Sequence, residues 1–165
     1  MHVSSISASF EDRGGRWVLA QFALMAAVIV AASLPPGWPE ALEAPLAGLG
    51  AVVALLGVIP AVWAWRTLDR AATPFPHSRR GGRLVQTGPY EFVRHPIYAG
   101  GMLFFAGVAL ATSPGAFLPL AVLALLWRNK AALEEELLVQ TYPEYRSYRG
   151  RVRGAFIPRE PSRIG

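Results

Sequence analysis

The chain of 165 residues contains no cysteine. That absence excludes disulfides, zinc ribbons, iron–sulfur clusters and thiol catalysis, and it removes cysteine usage as a guide to redox compartment. Charge is scarce as well: 16% of residues are charged, against about 25% in an average soluble domain. With 53% hydrophobic residues and a mean hydropathy of +0.32, the composition excludes a disordered chain, a collagen-like chain and a nucleic-acid-binding tail, and argues against an ordinary soluble globule. The length allows one compact domain, or two very small ones.

The missing charges are missing in blocks. Trp17–Leu34, Pro45–Trp65 and Pro96–Trp127 contain no Asp, Glu, Lys or Arg, over 18, 21 and 32 residues. A helix needs about 20 apolar residues to cross a bilayer core of roughly 30 Å. The first two stretches suit one crossing each. The third is too long for one and slightly short for two, and Thr112-Ser113-Pro114-Gly115 lies at its midpoint, a strong turn signal. The expectation is a tight hairpin of helices near 96–112 and 115–130. A buried hairpin in a soluble protein is disfavoured, because the remaining polar chain is too short to cover these helices. The first run exceeds the signal-peptide length of about 7–15 apolar residues and precedes no clear small-residue cleavage site. It is therefore read as a membrane helix.

Basic residues are absent from the loop 35–44 and from the hairpin turn. All 16 Lys and Arg fall in 1–16, 66–95 and 128–165. Basic residues mark the cytoplasmic side. Four crossings with both termini and the middle loop in the cytoplasm satisfy that rule at every segment. The net charge of +5 then reports topology, with contact to anionic headgroups as a further consequence. Nucleic-acid binding explains it poorly, because the basic residues flank apolar helices. Trp17, Trp63, Trp65 and Trp127 at the stretch ends, and Trp38 in the outer loop, are expected at headgroup level. The size and the Ala- and Arg-rich composition point to a bacterial inner membrane.

The loop 66–95 reads as irregular, with a short extended piece at Arg83–Thr87. Residues 131–142 read as helix, and 143–165 as basic and aromatic with an extended end at Pro158 and Pro161. Within 88–101, GPYEFVRHPIYAGG, Pro96 suits the first turn of a helix. Arg94 and His95 then stand at a helix N-terminus, where free N–H groups and partial positive charge suit a carboxylate or phosphate. Tyr98, three residues on, can face the same way as His95. Gly100, Gly101 and Gly107 permit close helix packing or a close ligand. Glu134-Glu135-Glu136 is either a solvated charge run or a carboxylate source for a cationic amine, ribose hydroxyls or base chemistry. Tyr142, Tyr145, Tyr148, Arg149, Arg151 and Arg153 form either an interfacial belt or a cap over a cytosolic site.

Other site types are poorly served. His2, His77 and His95 show no metal-binding helical spacing, so a zinc or other metal site is not expected. GxGxxG before a helix, a Walker loop and GxSxG are all missing. No charge lies inside a helix run, which disfavours a transporter or proton relay, and paired haem-ligand histidines are lacking for an electron-transfer subunit.

Taken in order, GPY-x-x-V-RHP-x-Y-x-G, an apolar hairpin, EE-x-x-L, an aromatic, Y-x-x-Y-x-x-x-V and a late proline resemble a known pattern. It is that of the integral-membrane isoprenylcysteine carboxyl methyltransferase and phospholipid methyltransferase superfamily. The matching residues are Gly88, Pro89, Tyr90, Val93, Arg94, His95, Pro96, Tyr98 and Gly100, then Glu134, Glu135, Leu138, Tyr142, Tyr145, Tyr148, Arg151, Val152 and Pro158. One departure is Tyr142-Pro143-Glu144-Tyr145, where many relatives carry F-G-x-x-Y.

The resemblance implies an all-α membrane protein of four transmembrane helices whose C-terminal cytosolic segment forms the cofactor pocket. Residues 1–83 would supply N-terminal membrane helices and 84–165 the methyltransferase core. It implies S-adenosylmethionine as methyl donor, contacted by Tyr90, Arg94, His95, Pro96, Tyr98, Gly100, Glu134 and Glu135. Glu135, Tyr148, Arg149 and Arg151 are the candidates for catalysis: a carboxylate acceptor would be held by Arg149 or Arg151, and an amine would lose its proton to Glu135 or a tyrosine. The partners expected are membrane lipids and a small apolar or lipid-like acceptor carrying oxygen, nitrogen or sulfur. The alternative is a member of the same fold that has lost catalysis and serves as a membrane binding or assembly module.

Overall fold

The computed structural model describes residues 14–68 and 84–159. Among the described residues the regular structure is helical, with no strand. Helix α1 is Gly15–Ala32, α2 is Glu40–Leu68, α3 is Pro96–Thr112, α4 is Phe117–Thr141 and α5 is Tyr145–Arg151. Short 3-10 turns, Gly88–Glu91 and Pro114–Ala116, precede α3 and α4. The start of the expected extended piece, at Arg83, lies outside the described residues, as do most of the loop 66–95 and the ends of the chain. Leu84–Gln86 carry no regular structure.

The hairpin forms where its turn residues require. Ser113 is extended, and its Oγ accepts from the Gly115 N–H at the start of the 3-10 turn. Two helices run longer than their charge-free cores. Helix α2 starts at Glu40, with Glu40 and Glu43 in its first turn and Arg66 in its last. Those signs suit the helix dipole at each end, so charge extends this helix instead of ending it. Helix α4 continues through Glu134–Glu136 to Thr141. No breaker intervenes before Pro143, whose ring disfavours helix at Tyr142. The expected helix at 131–142 is thus the C-terminal end of the second hairpin helix, up to Thr141.

Gly15–Ala32, Glu40–Leu68 and Pro114–Thr141 are each long and apolar enough to cross a membrane. Their outward faces carry exposed Leu19, Phe22, Leu49, Leu55, Ile59, Leu118 and Leu125, as a lipid-facing surface requires. The chain is a membrane protein. Helix α3 has 17 residues, about 25 Å at 1.5 Å per residue, and is the short member of the set.

The helices pack as two antiparallel pairs. In α2 and α3, glycines seven apart face each other, Gly50 against Gly107 and Gly57 against Gly100. A Cβ on Gly50 or Gly57 would sit 2.5 Å from the carbonyl oxygen of Gly107 or Gly100. With little hydrophobic drive between helices in lipid, such backbone proximity is what holds a pair together. In the second pair, α4 lies on α1, and Val28, Phe105, Ala109, Leu120, Leu123 and Trp127 form the buried core where α3 joins them. A separate cluster of Tyr145, Tyr148 and Val152, flanked by Leu84, Leu138 and Tyr142, seats α5 against the end of α4.

Candidate functional site

Pro96 opens α3, so its missing N–H leaves no intrahelical bond unmade. His95 occupies the N-cap position, but its side chain does not cap the helix. The ring turns to α4, where Nε2 lies 3.1 Å from Glu135 Oε1 and Nδ1 lies 3.6 Å from Glu134 Oε2. Arg94 Nε donates to the same Glu135 oxygen at 2.8 Å. Tyr98 Oη, one turn into α3, donates to Glu134 Oε1 at 2.7 Å. Two consecutive carboxylates of α4 therefore face the start of α3 together, while Glu136 is exposed. Consecutive residues on a helix lie about 100° apart, so α4 directs an edge at the site, with both carboxylates straddling it.

The C-terminal segment closes one side. After α5 the chain runs past the helix entrance: the Arg94 N–H donates to Gly154 O at 3.0 Å and the His95 N–H to Ala155 O at 2.9 Å. Arg94 Nη1 donates to Val152 O at 2.7 Å and to Arg153 O at 2.8 Å. The Phe156 ring lies 5.8 Å from the His95 ring. Arg94 is thus shared between Glu135 and the passing backbone, five-donor chemistry that lysine cannot supply. A Cβ at Gly154 would meet Ile157 O, so this C-terminal strap, residues 152–157, needs glycine there.

The wall behind the carboxylates is aromatic. His95 and Tyr98 stack at 5.7 Å between centroids, and Tyr98 and Trp127 at 5.5 Å. Tyr148 donates to Tyr90 O at 2.8 Å, tying α5 to the 3-10 turn. That turn begins at Gly88, whose φ of +64° is left-handed and where a Cβ would come to 3.2 Å of Thr67 Oγ1 and 3.3 Å of Trp63 Nε1 of α2. Burial pushes the Tyr148 phenol up to about 12 and raises those of Tyr90 and Tyr145 well above the usual tyrosine value. All three hold their protons at neutral pH. Tyr148 is neutral and committed to a carbonyl, the state of a donor in a scaffold.

The sequence-derived residues separate accordingly. Arg94, His95, Tyr98, Glu134 and Glu135 meet in one cluster, with His95 and Glu135 buried and the other three partly so. Arg149 reaches its rim: Nε is 3.5 Å from Glu135 Oε2, with a side chain 58% exposed against 10% for the glutamate. Arg151 is elsewhere, donating to Gln86 Oε1 at 2.6 Å on the surface. Tyr90 is buried and contributes its carbonyl to Tyr148. Gly100, for which packing and ligand contact were both open, faces Gly57 and Ala61 of α2, so helix packing fills that space. Gly101 lies against the Trp127 ring. Trp127, placed by the sequence at the end of an apolar stretch, also packs into the helix bundle. Its ring is turned into the protein, 4% exposed, and its indole N–H donates to a buried acceptor, Gln21 Oε1, at 3.1 Å.

Three residues at the site escaped the sequence reading: Gln21, Trp127 in this role, and Lys130. Lys130 Nζ donates to Gln21 Oε1 at 2.8 Å and lies 5.5 Å above the Tyr98 ring. The available signals were an amide within the first charge-free run and a lysine one turn before Glu134. Among the described residues, no group of three or more His, Cys, Asp or Glu is placed to hold a metal ion.

Phospholipid methyltransferase is the family whose model matches this chain, over residues 46–145. That is more than half of the sequence and runs from α2 to the first residue of α5, so the chain belongs to the phospholipid methyltransferase family. Among curated proteins it is 36% identical over 84 residues to the nickel-cobalt-cadmium resistance protein NccN of Alcaligenes xylosoxydans xylosoxydans. It is 32% identical over 83 residues to the cobalt-zinc-cadmium resistance protein CzcN of Cupriavidus metallidurans. Each match covers 49% of this chain and 38% of the relative, so the chain spans well under half the length of these curated relatives.

Proposed function

We propose that this protein transfers a methyl group from S-adenosylmethionine to a small apolar or lipid-like acceptor at the cytosolic face of the membrane. Family membership supports methyl transfer. The donor is supported by one observation: two adjacent carboxylates, a histidine and two arginines converge at the start of α3, roofed by the C-terminal strap. In this reading α3 is a fourth crossing, both termini are cytoplasmic and 84–165 form the catalytic core.

The residues fit the donor's charges. S-adenosylmethionine carries an ammonium, a carboxylate and ribose hydroxyls, and supplies an activated methyl on a sulfonium. Glu134 Oε2 lies 3.6 Å from His95 Nδ1, and it is the oxygen we assign to an ammonium or ribose hydroxyl. Arg149, half in solvent, can turn from Glu135 to a carboxylate. Arg94 holds Glu135 and the strap in register and so acts on the donor through them.

Methyl transfer is an in-line displacement, for which alignment and exclusion of water are the protein's main tasks. The His95–Tyr98–Trp127 stack and Phe156 provide a dry wall. A carboxylate acceptor needs no base. An amine or thiol would pass its proton to Glu135, whose Oε2 faces the rim. An acceptor with a long apolar part would keep its tail in the bilayer and present its head at the end of α3.

Calorimetry of S-adenosylhomocysteine with the detergent-purified protein tests the reading. Micromolar binding, abolished in Glu134→Ala at unchanged helix content, is expected. A folded protein that does not bind would instead favour a fold kept without chemistry, whose mutually paired Arg94 and Glu135 already need no ligand.

A further inference from the structure

Helix α1 lies outside the segment matched by the family, yet it enters the rear of the site. Gln21 is 8% exposed and is the only amide within the Trp17–Leu34 run. Its Oε1 accepts from two side chains of α4, Trp127 Nε1 at 3.1 Å and Lys130 Nζ at 2.8 Å. Lys130 is the only lysine of the chain and is fully buried. A buried ammonium is costly unless hydrogen-bonded and compensated.

Both donors then lead to the same place. Trp127 stacks on Tyr98, Lys130 caps the Tyr98 ring, and Tyr98 holds Glu134 Oε1 at 2.7 Å. Lys130 also lies one turn before Glu134 on the same side of α4. One amide oxygen on α1 therefore fixes two of the groups that pin Tyr98, and Tyr98 orients the carboxylate.

We propose that Gln21 is a positioning residue of the donor site, acting through Lys130, Trp127 and Tyr98 to set Glu134 for a cationic or hydroxyl-bearing part of the methyl donor. This rests on the donor assignment above. It makes α1 a working part of the site as well as a membrane anchor. A polar side chain buried in an apolar helix has a reason here: Gln21 Oε1 gives both α4 donors a buried acceptor.

The test uses calorimetry with S-adenosylhomocysteine on the full chain in detergent, beginning with the unaltered protein, and with helix content measured for every variant. Gln21→Leu, which removes the shared acceptor, is expected to weaken binding about tenfold, the scale of a lost hydrogen bond to a charged group. Gln21→Glu keeps an oxygen in place and is expected to bind close to the unaltered protein. In a Glu134→Gln background, Gln21→Leu is expected to add little, because its effect runs through that carboxylate. Unchanged affinity in Gln21→Leu overturns the proposal. So do equal losses in Gln21→Leu and Gln21→Glu, or a full additional loss in the Glu134→Gln background, since either means that packing alone is at stake. If Gln21→Leu does not fold, Gln21→Leu/Lys130→Met replaces the polar pair by an apolar one. Weakened binding in it supports the proposal, and full affinity overturns it. Failure of the unaltered protein to bind removes the donor assignment and the role of Gln21 together, an outcome read before any variant.

Discussion

His95 and Glu135 stand 40 positions apart and meet at 3.1 Å, with the Arg94 guanidinium on the same carboxylate oxygen at 2.8 Å. One acidic oxygen thus joins the start of α3 to the C-terminal half of α4, and through Arg94 it holds the C-terminal strap.

Removing that oxygen is expected to be a stability defect. Glu135→Ala leaves the Arg94 guanidinium, with a side chain only 9% exposed, without its carboxylate. Breaking a buried pair from one side costs about 3 kcal/mol. A lower thermal midpoint and early proteolysis of the strap after Val152 would register it. Glu134→Gln, which keeps a carbonyl oxygen for Tyr98, is expected to melt within a few degrees of the unaltered protein while binding S-adenosylhomocysteine measurably more weakly.

Tyr98→Phe keeps the stack with His95 and Trp127 and removes one hydrogen bond to Glu134. The expected cost is about 1 kcal/mol of stability, together with weaker S-adenosylhomocysteine binding. Equal affinity in calorimetry would mean that Glu134 needs no such orientation.

The glycines of α2 and α3 make a contrasting pair of predictions. Gly57→Leu would drive a side chain into the α3 backbone, where even a Cβ comes to 2.5 Å of Gly100 O. Overpacking of this kind costs about 1–3 kcal/mol or more, seen as a drop in thermal midpoint. Gly150→Ala in α5 meets nothing within 4 Å and is expected to stabilise by about 0.5–1 kcal/mol through helix propensity.

Alkaline titration should separate scaffold from surface. Burial is the main cause of the raised phenol values of Tyr90, Tyr145 and Tyr148, the last at about 12. The unfolded phenol ionises near about 10. The folded value is the higher one, so this contribution to stability is complete below about pH 10 and is lost as pH rises through 12. Phenolate absorbance from these three residues should appear together with loss of helix. An early, separate titration of all three would show that the aromatic cluster is open to solvent.

Much of the architecture was legible in the residues. Charge-free windows located the apolar helices, because burying an unpaired charge in lipid is prohibitive, and Thr112–Gly115 located the hairpin, because Pro and Gly fix the backbone locally. The Arg94-His95-Pro96 entrance and the Glu134-Glu135 pair were visible as motifs. Helix ends were less visible, since Glu40, Glu43 and Arg66 extend α2 by satisfying its dipole. Gly100 illustrates a limit: a glycine states that something comes close, and only the neighbouring helix decides that it is Gly57.

What the sequence determined by itself, then, is whatever acts along one stretch of chain: hydropathy, turn chemistry, capping and the order of the motifs. What only the tertiary structure decided is which distant groups share an atom. Arg94 and His95 converge on one oxygen of Glu135, Arg151 turns away to Gln86, and Gln21 takes both Trp127 and Lys130. Those choices depend on helix rotation and on the path of the strap, which are set by the packing of α1 on α4 and α2 on α3, and no local pattern encodes them.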